Sequence, residues 1–93
     1  MFRSVTVHGT RGALLWGYRA AATVTQWTIA KEGRQWRLAA TCEALDPVQL
    51  RMAARLKELL FTAPRDRGRW CWEVLDVTVG TRELRATLGR PLQ

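Results

Sequence analysis

The segment RDRGRWCWEV, residues 65–74, sets Arg65, Arg67 and Arg69 beside Trp70 and Trp72. Two chemistries fit that grouping. Guanidinium groups grip carboxylate or phosphate through paired N–H donors, and an exposed indole offers a nucleic-acid base a face to stack on. The other reading is structural. Tryptophans two apart on a strand point to one side, where their large apolar area builds a core. Arg34 and Arg37, flanking Trp36, repeat the combination on a smaller scale. The candidate binding residues are therefore Arg65, Arg67, Arg69, Trp70, Arg34 and Arg37.

Phase separates the two readings for some of the rings. Trp36 alternates in step with Leu38, and Trp72 with Val74, so these two are expected in the core. Trp70, next to the arginine loop, and Trp16, beside Gly17, stay open between core and surface. The segment reads as a core strand entered through a basic loop that faces a partner.

Other chemistry lacks its parts. The eight carboxylates are scattered, with no acidic pair at a diagnostic spacing. Nothing resembles an activated serine or a Cys–His dyad. The glycines of GTRGALLWG lack the Gly-Lys-Ser/Thr ending of a phosphate loop. GTRG has the shape of a KH-domain backbone clamp, but that clamp joins two helices and none flanks it here. Cys42, Cys71 and the single His8 fall short of a four-ligand zinc site. The cysteines are expected as small buried hydrophobes in a reducing compartment, and His8 as a solvated residue near a turn. No enzymatic activity, metal or cofactor is expected.

The net charge of +7 comes from thirteen arginines and two lysines against eight acids. With no asparagine and one isoleucine, that usage suggests a GC-rich genome, so coding bias contributes to the arginine excess. A field of this sign still favours an acidic macromolecular partner, protein ahead of nucleic acid. No apolar run approaches the ~20 residues of a membrane span. The opening MFRSVTVHG lacks a secretory apolar region, so the expected location is the bacterial host cytoplasm or a virion, without secretion.

Ninety-three residues with 47% hydrophobic side chains suit one domain, residues 1–93, with one core. Val5 and Val7 mark a short first strand, and ALLWGY (13–18) reads as extended with a bend at Gly17. Residues 20–29 and 34–43 form a hairpin about Lys31-Glu32-Gly33. Asp46, Pro47 and Gln49 make a helix start, and the helix is expected to run from Asp46 to Leu60. Its apolar arc is Val48, Met52, Ala53, Leu56, Leu59 and Leu60. After a basic loop at 65–68, strand 69–79 changes phase at Val74–Leu75, as at a bulge. Gly80-Thr81 turns the chain into a last strand through Leu88, stopped by Gly89-Arg90-Pro91. The expected fold class is α+β: an antiparallel sheet of about five strands in β-β-β-α-β-β order, with one amphipathic helix packed on it.

LLWGY (14–18), GRWCWEV (68–74) and ELRATLGRP (83–91), taken in order, resemble a loose pattern in small basic proteins of unassigned role encoded by tailed phages and prophages of GC-rich bacteria. The resemblance implies a virion or accessory role and carries over no functional residue. The function expected is a non-enzymatic, phage-type binding protein acting through a protein surface. It would serve as a virion or assembly component, where oligomers occur, or as an inhibitor of a host machine. The alternative is a nucleic-acid-binding module using an Arg/Trp surface.

Overall fold

The Thr-, Val- and Ala-rich stretch after Tyr18 forms a strand of 14 residues, β3 (Arg19–Glu32), more than twice the common length. Bulges between Thr23 and Val24 and between Val24 and Gln26 bend it. One edge of β3 is shared by two short strands, β1 (Thr6–Gly9) on its C-terminal half and β2 (Gly12–Trp16) on its N-terminal half. The other edge pairs from Ala22 to Glu32 with β4 (Gln35–Leu45). There follow α1 (Pro47–Arg55), β5 (Leu59–Arg65), β6 (Gly68–Val79) and β7 (Glu83–Leu92). The computed structural model describes residues 5–65 and 68–92.

Two three-strand meanders, β2-β3-β4 and β5-β6-β7, are joined by α1 and close on each other through β2–β5 and β4–β7. The result is a closed six-stranded antiparallel barrel, with β1 added to the outside edge of β3. This corrects the expected open sheet with a helix laid on it. The cause is β5. The expected helix runs to Leu60 and the expected loop opens at Arg65, with no strand between them, and without that strand the sheet has two free edges. As a strand, β5 sets Leu14 against Phe61 and Leu15 against Leu60, and that pairing removes the edge.

The helix is correspondingly shorter than expected. Its start is as the sequence indicates: Asp46 Oδ1 accepts from the Gln49 amide at 3.1 Å, and Pro47 stands at the first helical position. It ends five residues early, at Arg55. Lys57 takes a left-handed φ of 61°, the Lys57 amide donates to Ala54, and the Glu58 amide donates back to Ala53 at 2.9 Å. Those two bonds satisfy the last carbonyls and release the chain in a new direction. The buried face also differs. Leu50, Ala53 and Ala54 are buried, whereas Val48, Met52 and Leu56 of the expected arc are exposed. No helix among the described residues is long and apolar enough to cross a membrane.

Inside the barrel, alternate residues meet in layers. Phe61, Leu14, Ile29, Leu38, Leu59, Val74 and Leu84 are almost fully buried, and Leu50 reaches the core from the helix. The phase change in β6 is present as two bulges, between Trp72 and Val74 and between Val74 and Asp76. The second bulge turns Leu75 outward, while Val77 and Val79 stay half-buried against the core. Nor does Gly89-Arg90-Pro91 end β7, which continues to Leu92 opposite Cys71. One end of the barrel carries α1 with the Gly17–Tyr18 and Gly80–Arg82 turns. The other carries the β3–β4 and β5–β6 hairpin tips, and the predicted binding residues among those described, Arg34, Arg37, Arg65, Arg69 and Trp70, belong to it.

Candidate functional site

At the hairpin end the barrel wall is split. The β2–β5 ladder covers only Ala13–Trp16 against Leu59–Thr62, because β2 begins at Gly12. Past Thr62, β5 continues to Arg65 with no described strand on that edge. Its would-be neighbour, β1, pairs with β3 alone. Pro64 sits on the open edge, where its missing N–H costs no ladder bond. The gap is a groove of about 400 Å³ whose lining includes His8, Thr10, Arg11, Trp27, Arg65 and Trp70.

The floor of the split is aromatic and tightly fixed. Trp27, buried, meets Phe61 edge-on with centroids 5.5 Å apart and Trp70 at 5.8 Å with a 54° tilt. Its Nε1–H donates to the Arg11 carbonyl at 2.7 Å. Gly9 gives the ring room, since any side chain there would run into it. The GTRG tetrapeptide (9–12) therefore wraps the edge of Trp27, and that contact orients the β1–β2 connection. Trp70, half-buried, carries the Arg65 guanidinium over its ring at 4.6 Å.

The rim is cationic. Arg11, Arg65 and Arg69 are all exposed. Arg69 also borders two adjoining grooves of about 490 Å³ each, one along Trp72 and Pro91 and one toward Gly12 and Glu43. The ion pairs among the described residues are Arg37–Glu32 at 3.1 Å and Arg90–Glu73 at 3.6 Å. Neither uses a rim arginine. A carboxylate or phosphate entering the split would meet donors not already committed to an acid among the described residues.

The described members of the predicted set are thus brought to one end, with different prospects. Arg65 and Trp70 line the split itself, and Arg69 borders the two grooves that adjoin it. Arg67 lies outside the described residues. Arg34 is exposed in the turn after Gly33. Arg37 points outward from β4, bonded to Glu32 and within 3.5 Å of Gln35 Oε1, so its charge is locally balanced. Trp36 packs on Trp72 at 5.8 Å, and both are half-buried against the core, with Lys31 Nζ 5.7 Å from the Trp36 ring.

Sequence reasoning passed over Arg11 and Trp27. The signal for Arg11 was present, an arginine between glycines after a short strand, but it marks a site only once β1 and β5 are known to be neighbours. His8 stands in β1 with Nδ1 3.1 Å from Thr28 Oγ1. Cys42 is buried, and burial pushes its thiol pKa up from the ordinary value, whereas Cys71 is half-buried rather than enclosed as expected. Among the described residues no group of three or more His, Cys, Asp and Glu side chains could hold one metal ion. A further hollow, about 420 Å³ on the outer wall of β3, β4 and β7, is edged by Ala39, Thr41, Glu83 and Arg85, so its charges offset each other. No protein family, curated protein or solved structure matches the chain.

Proposed function

We propose that the protein is a non-catalytic binding module that holds an acidic segment of another protein in the split between β1 and the β5–β6 hairpin. The observation that carries this reading is the exposed set Arg11, Arg65 and Arg69 around an aromatic floor, at a place where the sheet lacks a strand. An open strand edge is a template for an extended segment, and the rim selects for negative charge. The likeness to small phage proteins makes a virion or host component the natural partner, and that part of the proposal rests on the sequence pattern alone.

A protein carboxylate is favoured over a nucleic-acid base by the state of the rings. Base stacking needs a bare indole face. The half-exposed Trp70 already has Arg65 over it, and Trp36 has Lys31 near its ring while leaning on Trp72. A base would have to displace a cation that a carboxylate could simply bind.

The test uses the full chain with two probes at low salt, a labelled extended peptide rich in Asp and Glu, and oligonucleotides of either strandedness. The peptide is expected to bind and to lose affinity in Arg65→Ala and Arg69→Ala, with oligonucleotide mobility unchanged. Binding of the oligonucleotide alone, weakening steeply with salt as phosphates regain counterions, would transfer the site to nucleic acid.

A further inference from the structure

The helix holds a second surface, at the opposite end of the barrel. Its sequence PVQLRMAAR buries Leu50, Ala53 and Ala54. At 100° per residue, Val48 and Met52 project about 160–200° from Leu50, directly away from the core. They are 66% and 48% exposed, and Leu56 at the helix C-cap is 52% exposed. Three large apolar side chains at i, i+4 and i+8 form a ridge of the kind that packs into another helix. Leu75, turned out by the β6 bulge, stands 39% exposed near the ridge's C-terminal end, its carbonyl 3.5 Å from Lys57 Nζ. Four of the seven exposed large hydrophobic residues among those described thus sit on α1 or on the strand it packs against.

Charge and size say what covers the ridge. Arg51 and Arg55 lie one row to its side, Lys57 follows, and residues 47–57 contain no acid. A second copy laid antiparallel would set arginine against arginine, between chains that each carry +7. Four partly exposed side chains also offer only a few hundred Å², roughly, against ~800 Å² per partner in a stable dimer. A membrane-surface helix ordinarily adds Trp or Phe to its apolar side, and this one has neither.

We infer that the outward face of α1 docks an acidic amphipathic helix of another protein, its apolar side chains on Val48, Met52 and Leu56 and its carboxylates on Arg51 and Arg55. This surface is independent of the split, so either can fail without the other.

The experiment measures fluorescence anisotropy of the full chain with a labelled peptide of about 18 residues, long enough to form a helix, with Leu at helical spacing and Glu elsewhere. A scrambled peptide of identical composition serves as control. Only the amphipathic peptide is expected to bind. Met52→Glu should weaken it by about ten-fold or more, Arg55→Ala by less, and Arg65→Ala not at all. Met52 and Arg55 are solvent-facing, so both variants should retain the parent circular dichroism. Equal binding of the scrambled peptide, or unchanged binding by Met52→Glu, overturns the inference. So does dimerisation of the free chain in sedimentation that Met52→Glu abolishes, or Met52-dependent flotation with phosphatidylserine vesicles.

Discussion

Gly9 and Trp27 occupy one space: a Cβ built on Gly9 would fall 2.2 Å from Cε2 and Cζ2 of the indole. The register Gly9↔Trp27 puts them directly across the β1–β3 ladder, so neither can move without unpairing β1. Gly9→Ala should therefore destabilise the fold by about 1–3 kcal/mol, the usual cost of overpacking a filled site. Urea unfolding with an unchanged m-value checks this. Full native stability in that variant would mean the ring is not held where we describe it.

Arg65 shields Trp70. Its removal in Arg65→Ala should cost about 0.5–1 kcal/mol, the range of a solvent-exposed cation–π contact. It should also make the Trp70 emission more accessible to acrylamide. Lys31→Ala should change less, because Lys31 Nζ lies 5.7 Å from the Trp36 ring whereas Arg65 lies at 4.6 Å from Trp70. Equal quenching of parent and Arg65→Ala protein would remove the shielding.

The two thiols should separate kinetically. Cys42 is buried and its pKa is raised by desolvation, so little thiolate forms at neutral pH and reagent cannot reach it. Cys71 borders the groove beside Trp72. In the native protein an aromatic disulfide reagent should modify Cys71 first and Cys42 only on unfolding. Simultaneous reaction of both would place Cys42 outside the core.

The helix ends offer opposite changes. Asp46→Ala removes the acceptor for the Gln49 amide and should cost about 1 kcal/mol. Lys57→Gly relieves a left-handed conformation that a Cβ disfavours and should stabilise by about 0.5–1 kcal/mol, less the weak 3.5 Å contact to Leu75. Thermal unfolding of both variants gives the signs directly. A destabilised Lys57→Gly protein would contradict the described helix end.

Much of this molecule is written in local pattern. The helix start at Asp46-Pro47, the alternation of Leu38, Ala40 and Cys42, the bulge near Val74, and the gathering of arginines about Trp70 were all legible from neighbours a few residues apart. Such features depend on capping, strand period and turn chemistry, which act over short stretches of chain. Residues 56–65 are the counterexample. Leu56, Leu59 and Leu60 fit the apolar side of a helix, and Leu59, Phe61 and Ala63 equally fit the inner side of a strand. The pairing of Phe61 with Leu14, across 46 intervening residues, decides in favour of the strand. With that pairing the sheet closes, Val48 and Met52 turn to solvent, and Arg11 arrives beside Arg65. Sequence alone marked the arginines about Trp70 as the candidate anion-binding group and the alternating residues of β4 as core. Only the tertiary structure decided where the wall stays open, because strand closure depends on partners far apart in the chain.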